Sequence, residues 1–172
     1  MSDQDFRIRQ LTKELVSAKL GERGEPCAIA ADLVRRTLEV ALQGLALGAV
    51  AESRVVEDAC QGAMTGLLLH EKDLAKGAVL ILDAVVDLAG RLNVDGTEMM
   101  RSAMRGIADM RRFSGPAVLS AIEAAIELEY QGAGSAFRAI LAESSTSMPE
   151  TAAKSQGRPH RSPMASRRFE VK

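Results

Sequence analysis

Aromatic residues are scarce in this chain: only 3% of its 172 residues are aromatic, Trp is absent, and Tyr130 is the single tyrosine. A hydrophobic core must therefore be built from Leu, Val, Ile, Ala and the eight Met, whose flexible side chains fill irregular gaps. The scarcity also argues against nucleic-acid binding by base stacking, which uses aromatic rings. With 47% apolar residues, the chain is nevertheless long enough for one domain with a real core.

Cysteine and histidine are also rare, with two residues of each. Two cysteines make neither a disulfide framework nor a metal site, and the apolar context of Cys27 and Cys60 predicts two small buried hydrophobic side chains. His70 has no second His or Cys within four positions, so we interpret it as a helix-end residue. No phosphate-binding loop is present, and no nucleophile has a base nearby in the sequence. The sequence predicts no catalytic residues, no cofactor and no metal.

Long uninterrupted hydrophobic runs are missing as well. The longest charge-free apolar stretch, 40–51, is shorter than the roughly 18–20 residues that a membrane span needs. The first five residues are polar and acidic, unlike the basic start of a signal peptide. We therefore expect a soluble, cytoplasmic protein.

Helical periodicity, by contrast, runs through residues 5–143, and no segment alternates with the two-residue period of a strand. Turn signals separate helices predicted at about 5–20, 26–50, 54–69, 74–92, 97–112 and 116–130, with a short helical end at 135–143. The fold class expected is all-α: a single antiparallel bundle or helical-hairpin array of five to six helices. We place this domain at residues 1–144, followed by a disordered, basic, Ser/Pro-rich tail at 145–172.

One short phrase occurs twice, eighteen positions apart: Glu-x-Ala-x-Gln-Gly-x-x-x-Gly, with Ala41, Gly44 and Gly48 in the first copy and Ala59, Gly62 and Gly66 in the second. Gly106 belongs to a weaker echo. Small residues at this spacing share one helix face, along which another backbone can approach closely. The face serves either packing of the second helix on the third within one chain, or contact with another copy. We therefore expect a non-enzymatic helical interaction protein that forms a homo-oligomer.

Three alternatives stay open. Ala- and Met-rich amphipathic helices without aromatics resemble, in composition, the phasins that coat bacterial polyester granules, which implies a peripheral coat on a granule or membrane surface. Asp83 and Asp87 share a helix face and, with His70, are the candidates for a small metal-dependent enzyme. A nucleic-acid-binding accessory protein has only an arginine cluster in its favour: Arg101, Arg105, Arg111 and Arg112.

Charge is distributed unevenly. Residues 145–172 hold six basic and two acidic side chains, a net of +4, which leaves −5 for residues 1–144 out of the total of −1. The segment at 167–172 also carries apolar residues at alternate positions, a pattern typical of an extended docking strand. We expect a protein partner to be bound by four of its residues: Arg167, Arg168, Phe169 and Val171.

Overall fold

The computed structural model describes residues 3–20, 24–44 and 49–146, and this part of the chain is all-helical with no β-strand. The all-α prediction is confirmed, but the count of five to six helices was too low. The helix is interrupted at Gly132, whose φ is +85°, and a full helix of 14 residues follows rather than a short helical end. The helices are α1 (Asp3–Lys19), α2 (Pro26–Gly44), α3 (Ala49–Leu69), α4 (Leu74–Leu92), α5 (Gly96–Ala108), α6 (Pro116–Glu129) and α7 (Ala133–Thr146), with a 3-10 turn (Asp109–Arg112) after α5.

Most helix starts follow the local chemistry of the sequence. Pro26 begins α2, where its missing N–H is not needed. Asp73 and Asp95 cap α4 and α5: their carboxylates accept hydrogen bonds from the amides of Lys76 at 3.0 Å and Thr97 at 2.8 Å. The boundary between the second and third helices was predicted wrongly. The described part of α2 runs to Gly44, and α3 already includes Ala49, so Ser53 lies inside the third helix and does not cap it.

From α1 to α6, helices two positions apart in the chain make the most extensive contacts, and α7 packs on both α6 and α5, so the helices form two rows. One row contains α1, α3, α5 and α7, and the other contains α2, α4 and α6. The rows pack on each other through pairs such as α2 with α3 and α4 with α5. The core between them is aliphatic apart from Phe137, and its largest fully buried side chains include Leu38, Met64, Leu82, Ile107 and Ile126. None of the described helices is long and apolar enough to cross a membrane.

Three glycines bring α1 and α5 into backbone contact with α3. A methyl group placed on Gly62 would lie 2.4 Å from the carbonyl oxygen of Arg9, and one on Gly66 would lie 2.8 Å from a methyl carbon of Val16. A methyl group on Gly106 of α5 would lie 2.2 Å from the carbonyl oxygen of Glu57. Each separation is shorter than any van der Waals contact, so only glycine permits these helix crossings.

Substitution of Gly62 by Ala should therefore destabilise the fold, while the same substitution at Gly90 should not. The Gly62 methyl group would meet backbone that is fixed inside a helix, at an expected loss of about 1–3 kcal/mol. Gly90 lies in α4 with no atom within 4 Å of an added methyl group, so Gly90→Ala should gain up to about 1 kcal/mol through helix propensity. Urea unfolding followed by circular dichroism measures both. Equal effects at the two positions would contradict the close-contact explanation.

Candidate functional site

The small residues singled out in the sequence do not share one surface. The second copy of the phrase, Ala59, Gly62 and Gly66, is buried, and its two glycines face α1 rather than α2. Gly106 is buried against α3. In the first copy, Ala41 is half-buried in the last turn of α2 and Gly44 ends that helix. Gly48 lies outside the described residues, as do the tail positions Arg167, Arg168, Phe169 and Val171.

A cleft of about 370 Å³ opens where four helices have their ends, and we call it the helix-end cleft. The last turns of α2 and α4 form one side, and the first two turns of α3 and α5 form the other. Its floor includes the buried Val56 and Met99, and its rim carries the carboxylates of Glu52, Asp95 and Glu98. The lining residues are Leu42, Val56, Leu92, Val94 and Met99, with Glu52, Ser53, Asp95, Glu98 and Ser102.

The rim of the helix-end cleft is negatively charged. Glu52, Asp95 and Glu98 contribute three carboxylates, and no Lys, Arg or His is among the described residues that line it. The N-termini of α3 and α5 lie here too, but each offers only about +0.5 of an elementary charge. The net charge of the rim therefore stays near −2. Arg101 approaches Glu98 at 3.3 Å, but both side chains are more than half exposed, so the ion pair is weak.

The polar groups of the cleft divide into structural and available ones. Asp95 is committed to the amides at the start of α5, and the Ser102 hydroxyl donates to the carbonyl oxygen of Glu98 at 2.9 Å. Glu98 accepts a hydrogen bond from the exposed Arg101 at 3.3 Å, a weak surface pair that an incoming cation can replace, and the Glu52 carboxylate lies in the same lining. The described lining of the cleft thus combines an apolar surface with negative charge, and it includes no nucleophile paired with a base.

Three of the residues proposed for other activities have partners within the fold: Asp83, Arg101 and Arg112. Asp83 accepts a hydrogen bond from the Tyr130 hydroxyl, which ties α4 to the end of α6 and raises the pKa of Tyr130 together with burial of its ring. In the arginine cluster, Arg112 pairs with Asp109 at 3.6 Å and Arg101 pairs with Glu98. In the described chain, no group of three or more His, Cys, Asp or Glu side chains is arranged to hold a metal ion.

Both cysteines are free and buried, as predicted. The Cys27 thiol donates to the carbonyl oxygen of Asp73 at 3.3 Å, so it joins α2 to the start of α4. Burial raises the pKa of Cys27 to about 11 and raises that of Cys60 further. Both thiols are therefore protonated and unreactive at neutral pH.

A second polar cluster lies between α1, α3 and the 3-10 turn. The Arg9 Nε donates to Asp58 at 2.9 Å, and the Asp58 side chain is only 5% exposed. The Gln61 amide donates to Asp109 at 3.0 Å. Glu57 sits half-buried beside them, and its pKa is raised by burial and by the negative charges of Asp109 and Asp58. These groups join α1, α3 and the 3-10 turn through hydrogen bonds, so we assign the cluster a structural role.

Sequence reasoning did not find the helix-end cleft. Asp95 and Glu98 were recognised as the start of a helix, which is a local signal. Their meeting with Glu52 and Leu42 depends on how four helix ends come together, and nothing in the spacing of the residues carries that information. Comparison with protein-family models, curated proteins and solved structures gives no significant match.

The raised pKa of Glu57 predicts a pH-dependent penalty on stability. The folded state binds this proton more tightly than the unfolded state, so stability is greatest below the ordinary Glu pKa and falls as pH rises through the folded value. Glu57→Gln removes the charge and should stabilise the protein at pH 7, with little effect at pH 4. The test is the difference in urea unfolding midpoint between the variant and the wild type, measured at both pH values. Glu129→Gln, at an exposed carboxylate, is the control and should show no such pH-dependent gain.

Proposed function

We propose that this protein is a non-enzymatic helical interaction protein that self-associates through the corner between α2 and α3. The observation that carries the proposal is a pair of exposed valines on either side of that corner. Val40 is 75% exposed and Val50 is 74% exposed, while the other large aliphatic residues of α2 and α3 are buried wholly or partly, apart from Leu69 at the far end of α3. Exposed apolar side chains close to a groove favour contact with another protein surface.

The choice of this corner follows from the placement of the two small-residue phrases. The α3 copy is covered by α1, so another chain reaches it only if α1 is displaced. Ala41 and Gly44 lie at the end of α2, next to Val40, where a second copy of the same corner has access. A twofold dimer buries the same patch on both chains, which suits one small apolar corner.

The coat-protein alternative is weaker for a physical reason. Covering a lipid or polyester surface requires helices to present long apolar faces, but the apolar face of α4 is buried in the core. The two rows of helices would have to separate, which would expose that core. Co-migration with liposomes or polyester granules in a flotation experiment would support this alternative against self-association.

Light scattering of the purified protein at micromolar concentration tests the proposal. The expected mass is twice the 18.4 kDa of the chain. The double substitution Val40→Lys and Val50→Lys should return the mass to that of one chain, because two buried charges oppose the contact. Leu128→Lys is the matched control, since Leu128 is 87% exposed on α6, away from the corner. A wild-type monomer, or a dimer unaffected by the double substitution, would refute the proposal.

A further inference from the structure

We propose that the helix-end cleft binds the C-terminal segment of its own chain, residues 167–172, with Phe169 on the apolar floor and Arg167 and Arg168 at the acidic rim. This inference goes beyond self-association and does not depend on it. The observation behind it is that the charge and apolar surface of the cleft complement those of the sequence at 167–172, Arg-Arg-Phe-Glu-Val-Lys.

Charge complementarity is the first argument. The available carboxylates of the cleft are Glu52 and Glu98, and no described basic residue lines it. The tail from 145 to 172 carries a net +4, while the remainder of the chain carries −5. Two adjacent arginines are the densest positive charge in that tail. Complementary charges steer a segment to its site and fix its orientation there.

The apolar match is the second argument. Within 147–172 the only large apolar side chains are Met148, Met164, Phe169 and Val171; Phe169 is the largest of them and directly follows the two arginines. Val56, Leu92 and Met99 offer them an aliphatic surface. A volume of about 370 Å³ is at the low end of the roughly 300–1,000 Å³ range of ligand pockets, which suits one or two side chains.

The length of the connection permits docking within one chain. Residues 147–166 span at most about 65 Å when extended. A domain of about 144 residues has a radius of gyration of roughly 15 Å, so the connection reaches any point on its surface. Attachment to the same chain gives a segment an effective concentration of roughly millimolar at a site within reach, which favours binding even at a weak site.

Paramagnetic broadening in NMR spectra of the full chain tests the inference. A nitroxide is attached at Ser166→Cys; the native Cys27 and Cys60 are 2% and 0% exposed and do not react in the folded protein. We expect strong broadening of amide signals at the cleft, such as Val94, Gly96 and Glu98. Raising the salt from 0.1 to 1 M should weaken it, because the screening length falls from about 10 to 3 Å.

Charge substitutions make the test specific. Glu52→Lys with Glu98→Lys should abolish the broadening, while the control pair Glu71→Lys and Glu129→Lys, both exposed elsewhere, should leave it intact. Adding Arg167→Glu and Arg168→Glu to the first pair should restore it, since the charges are then exchanged. The dispersion of the same spectra reports whether each variant is folded. Val94→Ser, at a partly exposed apolar residue of the lining, is a second variant that leaves the charge unchanged and should weaken the broadening.

Three results would overturn the inference: no broadening at the cleft in the wild type, broadening that survives Glu52→Lys with Glu98→Lys, or failure of the exchanged charges to restore it. A sample that mixes isotope-labelled chains with spin-labelled, isotope-free chains distinguishes docking within one chain from docking between two chains. Broadening in that mixture would show that the segment occupies the cleft of another copy, which contradicts docking within one chain. A loss of self-association in the light-scattering experiment has no bearing on any of these outcomes.

Discussion

Close backbone contact of α1 and α5 with α3 is the constraint on which the rest of the structure depends. Gly62 and Gly66 of α3 allow α1 to approach α3 closely, and Gly106 of α5 allows α5 to approach α3 closely. With so few aromatic residues, the chain has little large apolar surface with which to fill wide gaps between helices. Short distances between helix axes compensate for this, because small side chains let many weak dispersion contacts form along each crossing.

The same contacts fix where the helices end relative to one another. Once α1, α3 and α5 lie side by side in one row, α2 and α4 pack against them, and the last described residues of α2 and α4 lie near the first residues of α3 and α5. The helix-end cleft results from this arrangement. Its carboxylates have a structural origin, since Asp95 caps α5 and acidic residues in a first helical turn are favoured by the helix dipole.

Much of the fold was predictable because its signals are local. The caps at Asp73 and Asp95, the proline at the start of α2 and the burial of both cysteines follow from a few neighbouring residues each. The partner of the α3 small-residue face was not predictable. A stripe of Ala and Gly indicates that another helix approaches closely, but it does not identify that helix. Adjacency in sequence favoured α2, whereas the packing of helices two apart selects α1. The cleft has no sequence signal at all, since its residues come from four helices and one turn.

The two copies of the repeated phrase therefore have different surroundings despite their common pattern. In α3 the pattern lies in mid-helix, where Ala59 and Cys60 are fully buried between other helices. In α2 the same pattern runs into the end of the helix, so Ala41 stays half-buried and Val40 projects outward. Identical residue types thus stabilise the fold in one place and leave an apolar corner in the other. What distinguishes them is position along a helix, because a helix end has fewer neighbours to cover it than a helix centre.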